Sequence, residues 1–341
     1  MKKVTIQDIA DELGVSRNTV SKAINNTGSL AEATRERILQ KAVEMGYKQF
    51  SYIRAYAGGA AEYSSQKKGG IALLCGETFP SAHYISRMLE RVRKELPRYG
   101  YTLNTYRVEP GDIRRCILPL AFDPGRVSAV LCVGLTDQAY DEMICSLGLP
   151  ALFVDGPDKS GGIDLPADQL YMDSTTPVTR FVSDMLARGR RRIGYIGSCG
   201  GSQSLYERYT AYRCAMLMAD APVEKRFCIE TDVPEEIGSA LAALSGFPDV
   251  FLCSGDAVAA EAIRALGGLG KSVPGDVLVC GFGDLPDARI MTPALTTVHI
   301  HTGVMAVAAI HLLVSRIDVP GLDYRIIHTE TELIYRDSAG R

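Results

Sequence analysis

The chain has 341 residues, 46% apolar and 23% charged, enough for two or three domains with ordinary soluble cores. Its longest apolar stretch, "VMAVAAIHLLV" (Val304–Val314), is too short to span a bilayer, and a start that turns acidic by Asp8 does not read as a secretory signal. Nine scattered cysteines without a C-x-x-C pair read as small buried hydrophobes in a reduced cytoplasm, not as disulfides or metal ligands. The net charge of −3 is uneven: the first 68 residues hold 11 Lys/Arg against 7 Asp/Glu, the remainder 26 against 33. A basic head on an acidic body predicts an anionic partner for the head alone.

In chain order, the first element is a short helix with Ile6, Ile9, Ala10 and Leu13 on one apolar face. Thr5 is a good N-cap, Asp8 suits the positive end of the helix dipole, and Gly14 is a natural left-handed stop. Val15 is an apolar plug inside the turn. Ser16 then caps a second helix whose inward residues are Val20, Ala23 and Ile24. A third helix is predicted from Thr34 to Met45, with Ile38, Leu39, Ala42 and Met45 inward. Three short helices with a glycine turn between the first two make a helix-turn-helix unit. The outward residues of the second helix are Arg17, Asn18, Thr19, Ser21, Lys22 and Asn25, nearly all hydrogen-bonding types. Arg and Asn can read purine edges in the major groove, while hydroxyls and the helix N-terminus grip phosphates.

"VTIQDIADELGVSRNTVSKAINNTGSLAEATRERILQKAVEMGY" resembles the head of the LacI-type (lactose and purine repressor) family almost position for position. The resemblance implies double-stranded DNA as partner, with Arg17, Asn18 and Lys22 reading bases. Ser16, Thr19, Ser21, Asn25, Thr34 and Tyr47 would contact or position against the backbone, with Thr5 at the head of the first helix. The next stretch, "FSYIRAYAGGAAEYSSQKKGG", is a Gly/Ala/Ser-rich linker. The family carries a hinge helix here that wedges a leucine into the minor groove. In this chain Gln49 and Phe50 replace the usual hinge start and Tyr56 stands at the wedge. Gly58 and Gly59 each cost a helix about 1 kcal/mol relative to Ala.

From Gly70 onward, apolar runs such as "GIALLC", "AVLCVG", "ALFVD", "RIGYIG", "VFLCSG" and "VLVCGFG" alternate with helical patterns. Repeated βαβ units predict parallel sheets flanked by helices, and about 270 residues favours two lobes. The resemblance implies a periplasmic-binding-protein-like body behind the all-α head. The expected division is a head at 1–48, a linker at 49–69 and a body at 70–341. The first lobe takes 70–164 and 297–324, the second 165–296 and 325–341. The crossings then fall near Asp164, Thr296 and Tyr324. The chain ends soon after its last strand pattern, without the extra helix some members use for tetramers, so a homodimer is expected.

Three motifs are read as decoys. "ALGGLGKS" (Ala265–Ser272) fits a relaxed phosphate loop, but it follows a helix and leads into a strand, the inverse of the working context. "GSCGG" (Gly197–Gly201) fits a nucleophile elbow, but more loop follows where a helix must begin. His299, His301 and His311 lack a completing Cys or carboxylate at recognisable spacing. No enzyme activity, metal or cofactor is expected.

The resemblance also implies a polar effector site. Arg208 matches the family's anchoring arginine, Ser204 a second polar contact, and Asp155 a first-lobe carboxylate. A fork donor and a two-oxygen acceptor suit vicinal hydroxyls, so a sugar or sugar derivative is expected. Two family ligand positions are Gly255 and Gly283 here, leaving Asp256 and Asp284 beside them, while His83 and Tyr84 could supply stacking and a hydrogen bond. The expected protein is a cytoplasmic repressor of near-palindromic DNA, controlled by a small polar effector. A regulator answering to a protein partner is the alternative, followed by a carbohydrate-binding or carbohydrate-acting protein with a vestigial head.

Overall fold

The computed structural model describes residues 4–25, 30–45, 69–76, 83–160, 162 and 164–340. Tyr47, Gln49, Phe50, Tyr56, Gly58 and Gly59 lie outside the described residues, as do the side chains of Asn25, Leu39 and His83.

The head consists of α1 (Ile6–Leu13), α2 (Arg17–Asn25) and α3 (Glu32–Glu44). Its interior is Ile9, Ala10, Val20, Ala23, Ile38 and Ala42, with Val15, Ile24 and Met45 partly buried against it. α3 begins before the expected Thr34 because the Ala31 carbonyl already accepts the N–H groups of Thr34 and Arg35, at 2.9 and 3.0 Å.

The body opens with β1 (Gly69–Cys75), α4 (His83–Glu95), β2 (Tyr101–Arg107), α5 (Pro110–Arg115), β3 (Val127–Val133), α6 (Gln138–Cys145), β4 (Ala151–Val154) and β5 (Asp168–Met172). There follow α7 (Thr175–Ala187), β6 (Ile193–Ile196), α8 (Gln203–Met218), β7 (Cys228–Ile229), α9 (Pro234–Ala242), β8 (Val250–Cys253), α10 (Asp256–Gly268), β9 (Leu278–Cys280) and α11 (Pro286–Ile290). The chain closes with β10 (Thr297–Ile300), α12 (Thr302–Asp318), β11 (Ile326–Thr329) and β12 (Thr331–Ile334). One six-stranded sheet has the order β11-β5-β4-β3-β1-β2, and a four-stranded sheet the order β7-β6-β8-β9. Every pair within both is parallel. β10 and β12 pair antiparallel and adjoin β9 through bridges at Cys280–Thr296 and Gly283–His299.

The strand periodicity of two explains the layering. Along β1, Ile71 and Leu73 face one core, lined also by α4 and α12, while Ala72 and Leu74 face another with Tyr140 and Ile144 of α6. β8 divides likewise: Val250 and Leu252 lie with α7 and α8, Phe251 and Cys253 with α9 and α10. Both faces of each sheet are covered, so the strands read as continuous apolar runs. Among the described residues, no helix is long and apolar enough to cross a membrane.

Strand pairing moves the crossings. Asp168–Met172 pairs with β4 and with β11, so the chain leaves the first sheet after Met172, not near Asp164. It returns to that sheet at Ile326–Thr329 and crosses back only at β12, beyond the expected Tyr324. The crossing near Thr296 falls at Ile300, because β10 sits against β9 while α12 packs on α4. The reason is electrostatic. Asp168 opens β5 almost fully buried, and its carboxylate takes Arg316 Nη2 and Arg325 Nη2, each at 2.9 Å. Those arginines fix the end of α12 and the start of β11 to the first sheet, making a buried strand out of a polar stretch.

Candidate functional site

The head presents one polar face. Thr5 closes a capping box: its N–H donates to Asp8 Oδ2 at 2.7 Å, and its hydroxyl accepts the Asp8 N–H at 3.3 Å. Gly14 adopts φ +64°, a conformation only glycine enters without strain, and its N–H caps α1. The Ser16 hydroxyl accepts the Thr19 N–H at 3.0 Å and lies 2.8 Å from the Thr19 hydroxyl, capping α2. Arg17, Asn18 and Lys22 are exposed along the first turns of α2 and have no side-chain partner among the described residues. Ser21 is half-buried beside them, and Thr34 is half-buried at the start of α3. The side chain of Asn25, with Tyr47 and Tyr56, lies outside the described residues.

The second cluster lies where the two sheets meet. β4 delivers Asp155 at φ +51°, and its carboxylate accepts the Tyr84 hydroxyl at 3.1 Å and the Ser204 N–H at 3.0 Å. Burial first, and then the Asp155 carboxylate, push the Tyr84 phenol well above its ordinary range, so it stays protonated and donates to Asp155. One turn along α8 from Ser204, Arg208 is buried with its guanidinium 3.8 Å from the Phe282 ring centroid. Its Nη1 donates to the Ser254 carbonyl at 2.6 Å and its Nη2 to Met172 Sδ at 3.4 Å. Arg208 Nε and the Ser204 hydroxyl are buried without a partner among the described residues. Two polar atoms so placed, four residues apart on one helix, cost free energy until a ligand group or water meets them.

The carboxylates of Asp256 and Asp284 are engaged by their own neighbours. Asp256 accepts the Leu285 N–H at 2.7 Å and the Thr297 hydroxyl, and burial raises its pKa above the usual carboxylate range. Asp284 is shared among Arg289, Arg336 Nη2 at 2.6 Å and His299 Nδ1 at 2.9 Å. Burial opposes its charge, but Arg289 and Arg336 outweigh it and hold the carboxyl low. Both residues fasten the β9–β10 region. Beside them, a Cβ at Gly255 would make ordinary contact with the Phe282 carbonyl at 3.6 Å, while Gly283 has φ +133°, a backbone conformation that favours glycine. The His83 side chain lies outside the described residues.

Sequence reasoning missed the Phe282 platform, the Met172 sulfur and the loop after β4. In the sequence "GFG" reads only as a strand end, and no local signal marks Phe282 as the surface beneath Arg208. The decoys resolve structurally. Lys271 sits in the connection between α10 and β9, its N–H on the Leu266 carbonyl at 2.9 Å. The Cys199 thiol, pushed up to about 12 mainly by burial, precedes a helix that starts only at Gln203. His299 is committed to Asp284.

Residues 5–49 match the family model for bacterial regulatory proteins of the lacI family, and residues 182–339 the model for a periplasmic binding protein-like domain. The chain belongs to the LacI family. It is 27% identical over 341 residues to the HTH-type transcriptional repressor PurR of Histophilus somni (strain 129Pt), covering 98% of both chains. With the PurR repressor of Actinobacillus pleuropneumoniae serotype 3 (strain JL03) it shares 28% over 343 residues, again 98% of both. The fold matches the CelR–cellobiose complex with a TM-score of 0.70 at 22% identity, over 99% of this chain and 100% of that one. It also matches the Lac repressor dimer bound to operator and the anti-inducer ONPF, with a TM-score of 0.67 at 18% identity over 100% of both chains. As a LacI-family member the chain is a DNA-binding transcription repressor, and its relatives are repressors rather than enzymes. The helix-turn-helix head and the two-lobed parallel α/β body are the family's fold.

Proposed function

We propose that this repressor works as a homodimer on a near-palindromic operator, and that a small polar effector between its lobes sets its affinity for DNA. Arg17, Asn18 and Lys22 read base edges from α2, while Ser16, Thr19 and the α2 N-terminus hold phosphates. The effector set is Arg208, Ser204, Asp155 and Tyr84, with His83 beside Tyr84. Asp256 and Asp284 serve it indirectly, by fixing the second-lobe floor. The observation that carries the effector reading is the pair of buried, unpartnered groups on α8, Arg208 Nε and Ser204 Oγ, beside an acceptor already tied to Tyr84. Donors and an acceptor at that spacing suit hydroxylated ligands, and the CelR structure carries cellobiose. A sugar or sugar derivative is therefore the first class to test. A purine-type base is the second, favoured because the full-length relatives are PurR repressors. Glycines at 255 and 283, where the family resemblance implies ligand-binding side chains, keep a protein partner as the remaining arm.

The test is thermal unfolding of the full-length protein against sugars, sugar phosphates and nucleobases, with Arg208→Ala alongside. An effector at about 100 times its Kd adds about 2.7 kcal/mol of stability. A stabilising compound whose effect disappears in Arg208→Ala supports the site. Equal stabilisation of both proteins moves the ligand elsewhere, and silence across the panel turns the search to protein partners.

A further inference from the structure

We propose that His328 and Glu207 form a proton-gated latch between the two lobes, closed when the imidazole carries its proton. His328 lies on β11 of the first sheet, Glu207 on α8 over the second. His328 Nε2 meets Glu207 Oε1 at 2.8 Å. Gln203 Nε2 donates to the same oxygen at 3.0 Å, while Glu207 Oε2 is buried without a partner among the described residues. A carboxylate this enclosed needs a nearby cation, and the cation is supplied from the opposite lobe. The imidazole also rests on Tyr171 of β5, with ring centroids 5.2 Å apart.

The charged groups facing His328 are Glu207 on α8, Asp173 just after β5 and Lys159 on the β4–β5 loop. The bond to Glu207 outweighs burial and Lys159, so the imidazole titrates above its ordinary 6.5. A group raised in this way holds its contact fully below pH 6.5 and loses it as the pH rises through the folded value. The His328 side chain is 40% exposed, so solvent and salt screen the pair. That exposure limits the latch to roughly a two- to fivefold bias toward closure.

Closure can be read from backbone amides beside the latch. Gln203 N–H donates to the Gly156 carbonyl at 3.0 Å and Ser204 N–H to Asp155 at 3.0 Å. Gly201 N–H donates to Asp158 at 2.8 Å, and Lys159 N–H to Gln203 Oε1 at 2.9 Å. All four bonds join the β4–β5 loop to the start of α8, one turn before Glu207. The latch rests on the two-lobed body and not on the identity of any effector.

The experiment is hydrogen–deuterium exchange of the full-length protein near pH 6 and near pH 8, without DNA or effector, each rate divided by its intrinsic rate. In the wild type, protection at the four amides should fall about two- to fivefold on going to the higher pH. His328→Gln, which keeps a donor but no charge, should show no such fall. His328→Arg should stay protected at both pH values. Unchanged protection in the wild type would overturn the latch, and so would an equal fall in His328→Gln. Asp141 titrates in the same window but is present in all three proteins. Since neither DNA nor ligand enters the experiment, its failure would leave the effector reading standing.

Discussion

Asp141 shows how a single residue escapes a sequence reading. In "DQAYDEMIC" it looks like one more acid on a solvated helix face, behind the Asp137 N-cap. Docking of α6 on the sheet instead leaves both its oxygens buried and unpartnered, and burial, then Asp137, push the carboxyl up to about 8. The ordinary value is 3.8, so the stability Asp141 contributes is complete in acid and is lost as the pH rises through 8. Urea unfolding at stepped pH should show wild-type stability falling between pH 5 and pH 8. Asp141→Asn should remove a slope of up to about 1.4 kcal/mol per pH unit. Identical slopes in the two proteins would mean that the carboxyl is solvated. Arg208, by contrast, stood out only through the family resemblance, and the structure buries it against the Phe282 ring. What could not be read was how Asp284 is used, because Arg336 reaches it from 52 residues away.

At the scale of elements, local chemistry made the head readable. Caps, the glycine stop and helical periodicity all act within four residues, and the structure places Thr5, Gly14, Ser16 and, inward, Ile9, Ala10, Val20, Ala23, Ile38 and Ala42 as those signals require. Ser16→Ala should cost the head about 1 kcal/mol and Ile38→Ala about 2–5 kcal/mol. Calorimetry should show both in a low-temperature transition of the head, with the body transition unmoved. β5 and β11 were illegible for the opposite reason, since their burial depends on Asp168 meeting Arg316 and Arg325 about 150 residues later. Both the Asp168 and the Arg316 side chains are within 5% of full burial. Asp168→Ala leaves Arg316 and Arg325 with backbone and hydroxyl acceptors but no carboxylate, and should destabilise the body by roughly 3–5 kcal/mol. A loss below 1 kcal/mol would mean that the crossings are held by apolar packing alone.

At the scale of the whole molecule, the layered α/β plan followed from six apolar runs, yet the exact crossings needed the ion pairs. The charge asymmetry follows the same division, a basic head on an acidic body. Phosphate contacts by the head should make operator affinity fall steeply with salt, and Lys22→Ala should weaken binding to the operator more than to unrelated DNA. Control from the cleft requires that the effector bind two lobe arrangements unequally, since only a difference in affinity can move the equilibrium. The most direct test is a fluorescence anisotropy titration of operator DNA with the full-length protein, with and without the stabilising compound found in the unfolding panel, in wild type and Arg208→Ala. The account predicts that the compound changes operator affinity about 5–150-fold in the wild type, while Arg208→Ala binds DNA with no response to it. Operator affinity that ignores the compound in the wild type would contradict the account, because the cleft would then bind its ligand without controlling the head.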